Sequence, residues 1–289
     1  MGLRSAIRNA ANILPDGLFI RLEFFRNFGR FPNLKDPKTY NEKLQWLKLY
    51  DRNPAYSPMV DKYEAKRYIA QRVGEQYIVP NLGVWNRFEE IDFDSLPSQF
   101  VLKTVHDCGG VVICQDKEKL DRKEAKRFLK QHQKRNYYLY QREWPYKNVK
   151  PRILAEEFMK DAATGELRDY KFFCFNGEPK ALFIASERQA EGETKFDFFD
   201  MEFNHMDVRN GHPNADVPPA KPACFEEMKE LAAKLSAGIP HLRVDFYEMN
   251  GKLYVGELTF FHWSGMVPFE PASWDDTFGS WLTLPEKRK

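Results

Sequence analysis

Two carboxylates and an arginine near the end of the chain have the types and spacing to serve a hard cation. In HLRVDFYEMNGKLYVGELTF, Asp245 precedes an Asn250-Gly251 pair and Glu257 follows it, with the pair about midway. Asn-Gly between two apolar runs predicts a tight hairpin, because both residues tolerate positive φ. Opposed positions on paired strands bring side chains within ~5 Å of each other. Alternation puts Arg243 on the face of Asp245, and Thr259 on the face of Glu257. If those faces coincide, one surface carries Arg, Asp, Glu and Thr. Its two carboxylates suit Mg²⁺ shared with phosphate oxygens. Taken alone, the same carboxylates also fit a half-exposed sheet bathed in water.

Anion chemistry is suggested further upstream. Lys103 ends the apolar run FVLK and is followed by His106-Asp107-Cys108-Gly109-Gly110. A lysine there can reach an anion, and a Gly109-Gly110 backbone can approach a phosphate closely. The P-loop pattern G-x-x-x-x-G-K-[ST] is absent. ILAEEFM runs an apolar segment into Glu156 and Glu157. Lys171 lies among aromatics in DYKFF, where a charge needs a partner. Asp169, two residues earlier, shares its face.

The elements that must position these residues are legible in outline. The first 80 residues read as mainly helical, with amphipathic segments at Asn41 to Tyr50 and Asp61 to Arg72 and Gly74 as a stop. Strands follow at Phe100 to Lys103 and Val111 to Cys114, then a basic helix from Asp121 to Gln133 and a strand from Arg152 to Phe158. Asp169 to Phe175 and Ala181 to Ile184 flank Asn176-Gly177, a second hairpin signal. A helix at Phe225 to Leu235 turns Met228, Leu231, Ala232 and Leu235 inward. Antiparallel hairpins mixed with helices predict an α+β fold.

Composition narrows the classes. The chain has 289 residues, 43% hydrophobic and 15% aromatic, enough for a large core. Forty-four basic residues against 42 acidic ones give a net charge of +2. That near-balance argues against a nucleic-acid binder, while leaving room for a local basic cleft. Four cysteines form no C-x-x-C pair, which predicts buried free thiols in a reducing compartment. The start lacks a continuous apolar signal segment, and no stretch approaches the ~18–20 apolar residues that span a bilayer. A cytoplasmic protein is expected. Leu18 to Phe31, LFIRLEFFRNFGRF, also suits a helix lying on a membrane surface, at the inner face.

In this order, the pieces resemble the ATP-grasp superfamily. DKYEAKRYI with Gly74 and Ile78-Val79-Pro80 looks like its entry segment, which implies Lys62 at nucleotide phosphate. FVLKTVHDCGGVVI looks like its strand-lysine, glycine-loop, strand unit, which implies Lys103 and the Gly109-Gly110 loop over the phosphates, with the loop as a lid. ILAEEFM looks like its hinge strand. Glu156 would then take the adenine amino side, with the backbone of Phe158 and Met159. Asp169 falls at the ribose position, and Lys171 joins the nucleotide site. RVDFY and VGELTF look like the metal hairpin. That match implies Asp245, Glu257 and Thr259 as Mg²⁺ ligands and Arg243 near the transferred phosphate. Arg188 in ASERQ could grip a substrate carboxylate as a two-pronged fork.

More narrowly, NLKDPKTYNEKLQWLKLYDRNP, REWPYKN, DYKFFCFNGEPK and GELTFFHWSG read like the TupA-like ATP-grasp family. That family is linked to teichuronopeptide and other surface-polysaccharide biosynthesis in the cell envelope, such as that of a capsule. The resemblance implies antiparallel sheets that sandwich ATP, and an ATP- and Mg²⁺-dependent ligase. Its partners would be a small-molecule amine and a carboxylate-bearing saccharide such as a uronic acid. With the helical reading of the first 80 residues, it divides the chain into a helical N-terminal region over 1–80 and an ATP-grasp domain over 81–289, with subdomains of about 81–150 and 151–289. Two features depart from the superfamily. Thr259 stands where Asn is usual, and a helical stretch stands where a βαβ-type domain usually opens the chain. A kinase using the same site and a non-catalytic nucleotide binder remain open alternatives. So does a glycosyltransferase, for which Asp92-Phe93-Asp94 satisfies D-x-D but reads as a surface turn.

Overall fold

A computed structural model describes residues 13–160, 168–186 and 193–287. The helices of the first part are α1 (Asp16–Phe28), α2 (Tyr40–Tyr50), the single turn α3 (Ser57–Val60) and α4 (Ala65–Val73). α2 starts where the Thr39 side chain accepts from the Glu42 amide, satisfying one of the orphan N–H groups of a helix start. α4 begins later than the amphipathic pattern suggests. Asp61 instead folds its carboxylate back onto the amides of Tyr63 and Glu64, which caps the approach to the helix.

A four-stranded antiparallel sheet comes next. Its strands are β1 (Asn81–Trp85), β2 (Phe100–Thr104), β3 (Val111–Cys114) and β4 (Ile153–Glu157), in the order β1-β4-β2-β3. Between β3 and β4 lie α5 (Arg122–Gln133), capped by Asp121, and the short α6 (Tyr138–Gln141). Phe100, Leu102, Ile153, Ala155, Ala125 and Leu129 make a small core between α5 and this sheet.

The second sheet has six antiparallel strands in the order β10-β9-β5-β6-β7-β8. They are β5 (Asp169–Phe175), β6 (Glu178–Ser186), β7 (Lys195–Phe199), β8 (His205–Met206), β9 (His241–Met249) and β10 (Lys252–Thr259). Both Asn-Gly pairs are tight turns with positive φ: Asn176 at 53° with Gly177 at 88°, and Asn250 at 52° with Gly251 at 73°. α7 (Phe225–Ser236) buries Phe225, Met228, Leu231, Ala232 and Leu235. α8 (Ser273–Trp281) packs near α2.

The faces of the six-stranded sheet have different fates. Phe172, Leu242, Val244 and Phe246 point to one face, and Phe172 meets Phe225 of α7 with ring centroids 5.9 Å apart. On the other face, β5 and β9 are in register as Phe175↔His241, Phe173↔Arg243 and Lys171↔Asp245. One end of that face is core. There Tyr40 of α2 packs edge-on against Phe173, Phe175 and Phe278. The other end is charged and forms the site. Helices α2–α4 thus share a core with the six-stranded sheet.

The cysteines are free, as the sequence predicts, but they are not all buried. Cys114 and Cys174 are strand residues and are buried, while Cys108 is exposed because it sits on the turn after β2. Asp92 and Asp94 of the D-x-D stretch are exposed turn residues, with the Asp94 amide donating to the Asp92 carboxylate.

Candidate active site

The last hairpin brings its four polar residues to one surface. Glu257 pairs with Asp245 and Thr259 with Arg243, and a register shift between Val255 and Glu257 places a bulge just before them. Arg243 holds Asp245 as a two-pronged fork, Nε to Oδ1 at 2.7 Å and Nη2 to Oδ2 at 2.8 Å. Lys171 reaches Asp245 Oδ2 from β5 at 2.5 Å and lies 3.4 Å from Asp169. Arg243 also donates to Thr259 Oγ1 at 3.1 Å. Burial pushes the Asp245 carboxyl up, but Arg243 and Lys171 outweigh that and hold it below its ordinary value.

Glu257 is the freer carboxylate. Its side chain is 37% exposed, 4.0 Å from Arg243 Nη2 and 3.7 Å from Lys62 Nζ. Lys62 belongs to the other half of the site. Its ammonium donates to the Asp107 carbonyl at 2.6 Å, which ties the glycine turn to the β9–β10 hairpin. Asp107 shapes that turn. It is buried, accepts from Thr104 Oγ1, and meets His132 Nδ1 of α5 at 2.5 Å. Gly110 lies so close to Thr104 and Asp107 that a Cβ there would collide with both. His106 is buried with Nε2 on the Arg135 carbonyl, a structural role.

Glu156 faces two lysines. Lys66 Nζ and Lys103 Nζ each lie 2.6 Å from one of its oxygens. Burial works to raise the Glu156 carboxyl, yet the two ammonium groups win and lower it. Lys66 was not singled out from the sequence. A signal existed, since it lies four residues after Lys62 in DKYEAK. Phe158 and Met159 follow β4 directly and are partly exposed. Arg188 lies outside the described residues.

A further layer supports Arg243 and was invisible in the motifs. His262 is buried. Its Nδ1 takes a hydrogen bond from Arg243 Nη1 at 2.7 Å, and its Nε2 meets the Asn210 side chain at 2.9 Å. Burial first, and the Arg243 charge second, keep this imidazole neutral by pulling its pKa well below the usual range. The turn that follows carries three consecutive left-handed residues, Trp263, Ser264 and Gly265. Helix α2 clamps it. Gln45 donates to the carbonyls of Ser264 and Gly265 at 3.0 and 2.8 Å, and Lys48 donates to Ser264 O at 2.7 Å. The Ser264 hydroxyl donates to the buried Glu143. Burial depresses the Lys48 ammonium to about 8, with Glu143 opposing the shift. The helical start of the chain therefore builds part of the site wall.

Among the described residues, no group of three or more His, Cys, Asp and Glu side chains gathers to hold a metal. Two facing carboxylates and one hydroxyl are what a cation shared with phosphate oxygens requires, since Mg²⁺ keeps most of its shell from water and substrate.

No curated protein matches the chain. Among solved structures, it is similar to a D-alanine–D-alanine ligase from Bacillus anthracis complexed with ATP. Identity is 14%, TM-score 0.41, with 72% of this chain and 62% of that one covered. A D-alanine–D-alanine ligase from Helicobacter pylori gives 16% and 0.42, over 80% and 60%. D-cycloserine synthetase gives 13% and 0.42, over 72% and 64%. The chain thus spans less than two thirds of the length of these structures. The sequence pattern of the TupA-like ATP-grasp family matches residues 42–283, a span that runs from helix α2 through the β9–β10 hairpin to α8. The chain belongs to the TupA-like ATP-grasp family.

Proposed function

We propose that the protein is an ATP- and Mg²⁺-dependent ligase that activates a carboxylate as an acyl phosphate and joins it to an amine. The observation that carries this reading is the convergence of Lys62, Lys171 and Arg243 on two facing carboxylates beside a tight glycine turn. Two lysines and an arginine around these two acids, with Lys66 and Lys103 on Glu156, suit a polyphosphate that brings its own negative charge and its own cation.

Asp245, Glu257 and Thr259 would hold Mg²⁺, which neutralises phosphate charge and draws electron density from the phosphorus. Lys103, Lys66 and the Gly109-Gly110 backbone would bind the phosphates. Glu156 with the backbone of Phe158 and Met159 would take adenine, and Asp169 the ribose. A carboxylate oxygen attacks the γ-phosphorus and ADP leaves. The amine then attacks the acyl carbon, phosphate departs with the former carboxylate oxygen, and the amine gives up a proton. Arg243, preorganised by His262 and Asp245, stabilises the charge that builds at the acyl and phosphoryl oxygens. Lys171 serves the γ-phosphate, and Arg188 grips a substrate carboxylate. Acyl phosphates hydrolyse, so the turn at Lys62 and Gly109 must exclude water.

The family resemblance supports a uronic-acid carboxyl on a surface polysaccharide or its precursor as acceptor, and an amino acid or peptide as the amine. It also supports a helical region over 1–80 set before an ATP-grasp domain over 81–289, and action in the cytoplasm, where ATP is made. No helix among the described residues is long and apolar enough to cross a membrane.

The test is product analysis with ATP, Mg²⁺, a uronic-acid oligosaccharide and an amino acid mixture. Amide formation with stoichiometric phosphate release supports the ligase. Phosphate left on the saccharide would make it a kinase. Stabilisation by UDP-sugar but not by adenine nucleotide would overturn the site assignment altogether.

A further inference from the structure

Helix α1 has two apolar faces. Ile20 and Phe24 are fully buried and Phe19 nearly so, with the Arg142 guanidinium 4.4 Å above the Phe19 ring. Asp16 anchors the start of the helix through Arg52 at 2.6 Å, Tyr138 at 2.6 Å and Arg142 at 3.3 Å. The opposite face is also apolar, and it faces solvent. Leu18, Leu22 and Phe25, spaced i, i+4 and i+7, are each about half exposed. Ile13 before the helix and Phe31 after it are more exposed still, and Phe31 stacks on Phe25 at 4.9 Å. Five of the large apolar side chains that stand exposed among the described residues therefore fall within one short stretch.

The charges around this stripe decide what would cover it. At 3.6 residues per turn, Arg21 and Arg26 fall on either side of the Leu18-Leu22-Phe25 line. Both are exposed, and Arg30 and Lys35 follow. Arg26 pairs with Glu23 at 2.6 Å and Arg30 with Glu42 at 2.5 Å, while the Arg21 and Lys35 stems can lie along an apolar surface with their heads outward. Over residues 13–35 the basic Arg21, Arg26, Arg30 and Lys35 outnumber the acidic Asp16 and Glu23. The surface beside the exposed apolar stripe is thus net basic. An apolar line flanked by arginines fits an anionic lipid surface, where acyl chains take the middle and headgroups the edges.

We propose that α1 and its flanks dock the protein onto an anionic phospholipid bilayer, with Leu18, Leu22, Phe25 and Phe31 in the headgroup–acyl boundary. The docked helix stays tied to the site. Arg142 grips α1, and its neighbour Glu143 meets Ser264 beside the metal hairpin. A lipid-borne acceptor would be presented on that side. The surface stands on its own observations and does not depend on the reaction proposed above.

The full chain would be sedimented with phosphatidylglycerol–phosphatidylcholine vesicles and with phosphatidylcholine alone. Co-sedimentation with the anionic vesicles is expected, weakening as salt is raised. Leu22→Glu/Phe25→Glu should lower the bound fraction by about ten-fold or more, and Arg21→Glu/Arg26→Glu should lower it as well. Each variant is checked for an unchanged melting temperature and an unchanged shift with Mg-ATP, since none of these residues touches the site. Wild type left in the supernatant, or variants that sediment equally well, would overturn the proposal. A concentration-dependent dimer without vesicle binding, abolished by Leu22→Glu/Phe25→Glu, would assign the stripe to a second copy instead and overturn it too.

Discussion

Asp245 and Glu257 face each other across the last hairpin, but in opposite electrical surroundings. Asp245 is buried and held by both Arg243 and Lys171, whereas Glu257 is 37% exposed with its nearest cation 3.7 Å away. One carboxylate already has its counter-charges. The other has room for a cation that arrives with substrate.

The two should therefore respond differently to neutralisation. Asp245→Asn leaves the buried Arg243 and the half-buried Lys171 short of a partner and should cost about 3 kcal/mol of folding stability. Glu257→Gln should change stability by no more than about 0.5 kcal/mol. Both should lose the magnesium-dependent part of ATP binding. Urea unfolding and calorimetric titration check this, and a Glu257→Gln protein with full Mg-ATP affinity would remove Glu257 from the metal site.

Lys66 and Lys103 share Glu156, and under the proposed function both would meet the nucleotide. Lys103→Met and Lys66→Met should each weaken ATP by about ten-fold, the loss of one charge-assisted contact. The weakening should persist without Mg²⁺, which separates these lysines from the metal hairpin. Unchanged affinity in both variants would show that the pair is structural.

His241 gives the fold a pH dependence. Its Nδ1 donates to the Phe260 carbonyl at 2.8 Å and its Nε2 accepts from the Tyr40 hydroxyl at 3.0 Å. Burial, opposed by the Phe260 bond and reinforced by Arg243, lowers its pKa to about 4. The unfolded chain binds this proton near pH 6.5 and the folded chain only near 4, so the contribution is full above pH 6.5. It is lost as pH falls from 6.5 through 4, by about 3 kcal/mol in all. His241→Gln should flatten the stability slope over that window. An identical slope in the variant would assign the acid sensitivity elsewhere.

Gly265 is a test of the clamp between α2 and the turn after β10. It sits at φ 60°, and a Cβ there would lie 2.9 Å from Leu44 Cβ. Gly265→Ala should cost about 2 kcal/mol or more, because backbone strain and overpacking add. Thermal unfolding reads this directly. A change under 0.5 kcal/mol would mean that α2 is free to shift.

Much of this was legible because hairpins announce themselves locally. Asn176-Gly177 and Asn250-Gly251 predict both turns, and strand alternation predicts that Arg243 and Asp245 share a face. Lys171 among aromatics predicts a partner, and the structure supplies Asp245. What was not legible depends on pairs far apart in sequence. Nothing near Lys48 or Gln45 announces a turn more than 200 residues later. Nothing in ILAEEFM says that Glu156 meets two lysines from different elements. The role of His262 behind Arg243 follows from a hydrogen bond to Asn210 that no local spacing encodes. Exposed Cys108 was misjudged because burial of a thiol follows the tertiary position of its turn.

The seam between α2 and the C-terminal part of the fold also sets an order of assembly. Tyr40 waits for His241, 201 residues away, and Asn41 for Asp275, 234 residues away. Such closures carry a large loop entropy and slow the search for the native state. During synthesis, Phe173 and Phe175, which Tyr40 will touch, are translated long before Phe278 can cover them. A nascent chain at that stage carries an open, sticky sheet face and no capacity to hold nucleotide. Its demand for a chaperone should peak before the last helix leaves the ribosome.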